Sequence, residues 1–191
     1  RKLLAFRYRL IPYMLGASEQ AAATGLPLMR AMPLAFPHDR LARSFEGQYL
    51  FGDALLVAPI IRPGGSVEVY FPAGEAWHDL DTGERFEGGQ VRVVQKALDQ
   101  LPAWGREGHV LCLGRAVMHT GEIDLAAPIE EVRLFGEPRV PPCVMGQCVT
   151  LTRENGVVRI AGANLRAGQC LPSAGFRARD DADGVLISRM Q

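Results

Sequence analysis

The chain has 191 residues, room for one domain or two small ones, and its 48% hydrophobic and 22% charged composition is that of a folded globular protein. Its 21 basic and 21 acidic residues cancel and are scattered along the chain, so no basic stripe is offered to nucleic acid and no such partner is expected. No apolar run approaches the roughly 18 residues of a spanning helix, so no membrane partner is expected either.

The first residue is Arg1, and an amphipathic pattern is already running there. The expectation is a cut inside a longer chain, which would also hide any signal peptide. Residues 3–24 read as one helix. Leu4, Tyr8, Ile11 and Leu15 form a continuous stripe, widened by Leu3, Phe6, Leu10, Tyr13 and Met14 until it needs cover on more than one side. Pro12 cannot donate to the carbonyl four residues back, which predicts a kink, and Gly25 suits the left-handed cap that ends the helix. Residues 27–36, apolar but for Arg30 and bounded by Pro27 and Pro37, read as a buried strand; residues 38–47 read as a short turn or helix.

From Gln48 the pattern turns to strands and turns. Leu55–Ile61 is an apolar run interrupted by Pro59, and Pro63-Gly64-Gly65 is a turn. Ser66–Phe71 alternates, with Val67, Val69 and Phe71 on one face and Glu68 and Tyr70 on the other, the mark of a half-buried strand. Further strands are predicted at Trp77–Leu80, Val91–Val94 and His109–Leu113, with a soft boundary near Gly114. Beyond it, Val132–Phe135, Val149–Thr152, Val157–Ile160 and Val185–Ser188 read as strands, and Asn155-Gly156 is a strong hairpin signal. Short strands with frequent glycine turns predict a mainly β chain of antiparallel sandwich type.

Few residues suggest chemistry on their own. Cys112, Cys143, Cys148 and Cys170 match no zinc or redox spacing; Cys143 and Cys148 are near enough to bridge in some geometries, but free thiols in a reducing, cytoplasmic setting are the expectation. No His-x-x-x-His or Cys-x-x-Cys occurs, so neither a metal nor any cofactor is expected. Asp180-Asp181-Ala182-Asp183-Gly184 lacks the glutamate that closes a calcium loop and reads as a solvated turn. His78 and Asp79 are adjacent on a predicted strand, so they point to opposite faces and no triad forms with them. Gly52-Asp53 reads as turn chemistry. Trp77, Trp104 and Tyr70 could stack on a sugar, but core packing is the better use of such large apolar area. Arg30 stands out, because a charge inside an apolar run is rarely buried without a partner.

Three blocks carry a family resemblance: Arg7-Tyr8-Arg9-Leu10-Ile11-Pro12-Tyr13-Met14; Gly25-Leu26-Pro27-Leu28-Met29-Arg30-Ala31-Met32 with Phe36-Pro37; and Gln48-Tyr49-Leu50-Phe51-Gly52-Asp53-Ala54-Leu55-Leu56-Val57-Ala58-Pro59. Later markers are Val69-Tyr70-Phe71-Pro72-Ala73-Gly74, Trp77, Thr82-Gly83-Glu84-Arg85, Glu87-Gly88-Gly89 and Leu101-Pro102. In this order they resemble the end of the catalytic barrel and the C-terminal β-domain of glycoside hydrolase family 31, which contains α-glucosidases and α-xylosidases. The resemblance covers roughly residues 3–114; residues 115–191 are placed by position alone.

The resemblance implies residues 1–47 as the last helix and strand of a (β/α)8 barrel, 48–114 as a proximal C-terminal β-sandwich and 115–191 as a distal all-β module. It implies a retaining α-glycosidase, whose two carboxylates stand about 5–5.5 Å apart. Both come from earlier barrel strands, so no catalytic residue is assigned here, and carbohydrate would be bound through the barrel. Arg30 is the one substrate-site candidate, at the end of a barrel strand. Its bland alternative is an ion pair at the barrel rim. Ala35 stands where family members often have an acidic residue, and Arg30-Ala31-Met32 looks more like the α-xylosidase branch. Self-association into a homo-oligomer is compatible with this picture. The competing reading is a stand-alone β-sandwich that binds carbohydrate or protein. The apolar helix and strand within residues 3–36 argue against it, because a free-standing sandwich has no use for them.

Overall fold

The structure is a computed structural model that describes residues 2–124, 129–142, 144, 149–162 and 164–190. The chain forms two compact units, one of Leu26–Glu107 and one of Arg1–Gly25 with Gly108–Gln191. Cys143 and Cys148 lie outside the described residues.

The expected opening helix is two helices, α1 (Lys2–Arg9) and α2 (Ile11–Thr24). The break falls at Leu10, which places Pro12 in the first turn of α2, where its missing N–H leaves no bond unmade. Gly25 takes the left-handed conformation at φ 76° and donates its N–H to Ala21 at 2.8 Å, as a terminating glycine should. α2 buries Tyr13, Gly16 and Ala17, whereas α1 buries no side chain and leaves Leu4 62% exposed. What ties α1 down is Arg9. Its Nη2 pairs with Glu131 at 2.6 Å, its Nε donates to the Gly114 carbonyl, and its own carbonyl accepts the Gly114 N–H at 2.7 Å. Burial raises the Glu131 carboxyl, but hydrogen bonds from Arg133 and Arg9 outweigh it and hold the group below its ordinary range.

The Leu26–Glu107 unit starts with β1 (Met29–Ala31). The strand expected over residues 27–36 stops there, because Pro33 cannot donate to a ladder and instead occupies the first turn of a short helix, α3 (Met32–Ala35). A 3-10 turn at Leu41–Ser44 meets the expectation for the following polar stretch. The strands are β2 (Tyr49–Phe51), β3 (Leu55–Val57), β4 (Ser66–Phe71), β5 (Ala76–Asp79), β6 (Arg85–Glu87), β7 (Gln90–Gln95) and β8 (Ala103–Arg106). Six of them form one antiparallel sheet in the order β1-β2-β3-β8-β5-β6; β4 and β7 form a separate ribbon. Leu50, Leu56, Trp77 and Trp104 of the sheet close on Val69, Tyr70 and Phe71 of the ribbon, giving a two-layer sandwich core. Phe71 stacks on Phe86 and meets Trp104 edge-on. The Leu55–Ile61 run keeps ladder geometry only to Val57; past Pro59 it leaves the sheet, and Ile61 is 83% exposed.

In the other unit β9 (Val110–Leu113) and β10 (Glu131–Leu134) pair antiparallel. The strands β11 (Thr150–Glu154), β12 (Val157–Ala161), β13 (Cys170–Leu171), β14 (Phe176–Asp181) and β15 (Gly184–Arg189) complete it. β13 adds to β10 in parallel, a departure from the all-antiparallel expectation, while β11-β12-β15-β14 is fully antiparallel. Asn155 and Gly156 both have positive φ, 51° and 77°, as a two-residue hairpin turn requires. Residues 181–184 likewise close the β14–β15 hairpin, and Asp181 pairs with Arg159. Val132 and Ile160 pack with Cys112, Cys170 and Ile187 in one core.

Cys170 is buried, and that burial, with the negative charge of Asp180 adding to it, pushes its thiol up to about 11 from an ordinary 9.0. The raised value belongs to the folded state. It contributes stability that is fully present below pH 9.0 and lost as pH climbs toward about 11. Native chain at pH 8 is therefore expected to leave Cys170 unmodified by iodoacetamide, and a Cys170→Ala variant should lose the part of the alkaline destabilisation that falls in this window. Alkylation of native Cys170 at pH 8, or an unchanged alkaline slope in the variant, would contradict this.

Candidate functional site

Arg30 sits at the centre of β1, paired with Leu50 of β2. The strand has an exposed–buried–exposed pattern, and its one buried side chain is the arginine, 6% exposed. The tight β2–β3 turn explains how a charge survives there. Gly52, at φ 58°, donates its N–H to the Leu28 carbonyl at 2.7 Å and so draws the turn against β1. That contact brings Asp53 to the guanidinium: Arg30 Nη1 pairs with Asp53 Oδ1, and Arg30 Nε donates to the Pro27 carbonyl at 3.0 Å. The arginine is neutralised from within its own meander. Its partner carboxylate is about one-third open to solvent. The cluster can position a hydrogen-bond donor; it holds no second carboxylate for acid–base work.

Four other acidic groups of this unit, Asp79, Asp81, Glu107 and Glu75, are committed in the same way. Asp79 Oδ2 receives Lys96 Nζ at 2.5 Å, and its Oδ1 accepts the N–H groups of Asp81 and Thr82 at 2.8 and 3.0 Å. Asp81 Oδ2 lies 3.5 Å from the same ammonium and accepts the Leu101 N–H at 2.7 Å. Lys96 and Asp79 are 3% and 4% exposed, so this is a buried pair tying the end of β7 to the end of β5. His78 Nε2 lies 2.7 Å from Glu107, away from Asp79, so the adjacent histidine and aspartate serve different partners. Glu75 accepts from Arg106 Nε and Nη2, one on each carboxylate oxygen.

Asp39 forms a third polar node. It accepts the Tyr70 hydroxyl at 2.5 Å and the N–H groups of Leu41 and Ala73 at 3.1 and 3.3 Å. Burial acts to raise the Asp39 carboxyl, but the Tyr70 and backbone hydrogen bonds prevail and hold it low. Burial first, and then the Asp39 hydrogen bond and charge, push Tyr70 up to about 12. Two further side chains gave no signal in the sequence. Lys96 follows a strand in a polar stretch, and Gln48 is a lone amide, yet each is buried and bonded on a partner distant in sequence.

The aromatic candidates for sugar stacking are spoken for: Trp77 and Trp104 are fully buried and Tyr70 is 2% exposed. Trp77 donates its indole N–H to the Pro72 carbonyl. Among the described residues no group of three metal-ligating side chains converges.

Residues 25–111 match the family model for the glycosyl hydrolase family 31 C-terminal domain. The chain is 36% identical over 123 residues to the α-xylosidase of Saccharolobus solfataricus, covering 63% of this chain and 17% of that protein. A solved family 31 α-xylosidase from a soil metagenome, complexed with xylose, is 40% identical at a TM-score of 0.52, over 55% of this chain and 16% of that one. The family 31 α-xylosidase from Xanthomonas citri is 25% identical at a TM-score of 0.69, over 94% of this chain and 21% of that one. The chain thus spans 16–21% of the length of these proteins. With the two-layer β unit found over the matched residues, these similarities place the chain in glycoside hydrolase family 31, as a C-terminal portion that includes the family's C-terminal domain.

Proposed function

We propose that this chain works as the C-terminal part of a retaining α-glycosidase of α-xylosidase or α-glucosidase type, supporting the barrel and hydrolysing nothing by itself. One observation carries the second half of that reading. Four carboxylates of the Leu26–Glu107 unit are bound into structural pairs: Asp53 with Arg30, Asp79 with Lys96, Glu75 with Arg106 and Glu107 with His78. A retaining mechanism needs two carboxylates about 5–5.5 Å apart across a sugar, one to attack and one to give and take a proton. An aspartate clamped by a buried ammonium and two amides does neither. The α-xylosidase branch is favoured by the Arg30-Ala31-Met32 form and by the similarity to enzymes of that name.

The barrel segment expected over residues 1–47 is shorter than that, because β1 pairs antiparallel with β2 inside the sandwich sheet, whereas a (β/α)8 barrel strand pairs in parallel. In this reading residues 48–114, joined by β1, form the proximal sandwich and 115–191 the distal module. Arg30 reaches the substrate site only indirectly, by fixing the β2–β3 turn and the start of β1 next to the barrel. Carbohydrate is the partner, through the barrel, in a cytoplasmic enzyme that needs no cofactor. Scattered charge supports the omission of nucleic acid.

The test is hydrolysis of aryl α-xyloside and aryl α-glucoside by the 191-residue chain and, in parallel, by the same protein extended upstream. The expected result is turnover by the extended protein alone, faster on the xyloside. Turnover by the short chain would overturn the assignment of its carboxylates to structure.

A further inference from the structure

The β4–β7 ribbon has an unfinished edge. In its ladder Gly65 accepts the Lys96 N–H and Phe71 accepts the Gly89 N–H, so the odd-numbered residues of β4 face β7. The even-numbered ones, Ser66, Glu68 and Tyr70, direct their N–H and C=O groups the other way. At Tyr70 this outer edge is already occupied. The Gln48 side chain accepts the Tyr70 N–H at 2.9 Å and donates to the Tyr70 carbonyl at 2.7 Å, as one residue of an added strand would. Next to that stub, at Glu68 and Ser66, lies a cleft of about 740 Å³, with Phe45, Glu46, Ile61 and Arg62 on its walls.

We propose that this cleft takes a single extended peptide, which continues the ribbon from the Gln48 stub by pairing with the backbone of Glu68 and Ser66. Three features select that occupant. The exposed groups are backbone donors and acceptors in strand spacing, the signature of strand addition. The edge opens into a cleft flanked by residues of the 44–48 segment and the 58–63 loop, which suits one extended strand. Two acidic side chains, Glu46 and Glu68, against the single Arg62 favour a basic peptide, and the exposed Ile61 and Val93 favour aliphatic residues in alternation with the basic ones. The inference is independent of the hydrolase reading.

The probe is a set of fluorescein-labelled hexapeptides alternating lysine or arginine with valine, isoleucine or threonine, measured by anisotropy against the full chain. The expected result is saturable binding by members of the set. It should weaken about tenfold or more in a Glu68→Pro variant, which removes an outward N–H while sparing the β7 ladder. Peptides N-methylated at alternate amides should fail equally against the unaltered chain, which keeps the test sound if the proline variant misfolds. Glu68→Lys should shift preference to acidic peptides. Amide exchange supplies a positional readout: bound peptide should slow Glu68, whereas Val67 and Val69 are already held by β7. No binding by any member, binding indifferent to N-methylation, or a concentration-dependent dimer that Glu68→Pro abolishes would overturn the proposal, the last by assigning the edge to a second copy.

Discussion

A Lys96→Met variant should lose about 3–5 kcal/mol of stability, enough to unfold the Leu26–Glu107 unit well before the rest of the chain. The lysine and Asp79 are each nearly inaccessible to solvent, and their contact is direct. Methionine fills a similar volume, so the loss comes from charge, not from a cavity. It leaves a carboxylate buried beside Trp104 with two amide donors but no counter-charge, because Asp81 next to it is also an acid. The double variant Lys96→Met/Asp79→Asn should recover most of the loss, since the amide oxygen of asparagine can still accept the Asp81 and Thr82 N–H groups. That recovery separates an uncompensated charge from lost packing. Urea midpoints of the two variants decide the matter. A loss below about 1 kcal/mol for Lys96→Met would mean that the pair behaves as a surface bridge. A double variant as weak as the single would mean that the lysine stem does the packing.

The parts of the molecule that the sequence revealed are those whose signal is local. The terminating Gly25, the strand at Ser66–Phe71 and the Asn155-Gly156 turn each depend on residues a few positions apart, and each appears in the structure at its expected place. Two finer expectations fail: the stripe from Leu4 to Leu15 is split at Leu10 and leaves Leu4 exposed, and Tyr70, expected on the outer face of β4, is buried. β8 gave no such signal. Ala103, Trp104 and Gly105 show neither alternation nor β-branching, and this strand is central only because β3 and β5, both remote in sequence, flank it. β14 was hidden for a different reason. Its Arg–Asp-rich composition suits an outer strand whose charged side chains stay wet, and it takes its order from pairing with β15. The candidate site divides along the same line. Arg30 was visible as a charge in an apolar run, whereas Lys96 and Gln48, which the structure shows to be as deeply committed, sit in polar stretches that read as surface. Burial of such groups is decided by a partner 17 to 23 residues away, farther than a local pattern of sequence reaches.

Gln48 supports the second large prediction. Its amide satisfies both backbone groups of Tyr70 and lies 3.6 Å from Met32 Sδ, in a setting where the residue is 3% exposed. A Gln48→Ala change strands a buried N–H and a buried carbonyl at once and opens a small void beside Met32. At about 1–3 kcal/mol for each orphaned group, less whatever water recovers, the expected loss is about 2–4 kcal/mol. Gln48→Glu probes the same clamp with almost no change in shape. A carboxylate can still accept the Tyr70 N–H, but its second oxygen then faces the Tyr70 carbonyl with no proton between them. The variant should be destabilised at neutral pH and should regain stability as pH falls and the new carboxyl is protonated, because a protonated acid can donate to that carbonyl as the amide did. The unaltered chain has no such gain to make, since the Asp39 carboxyl is held low in the folded state and its contribution persists above its ordinary 3.8, fading only below it. The informative quantity is therefore the difference between the two proteins in denaturation midpoint at pH 7 and pH 4. A difference that narrows on acidification places the clamp's worth in the donated hydrogen bond. A difference that stays constant would assign it to packing against Met32, and the ribbon edge at Tyr70 would then need no surrogate strand.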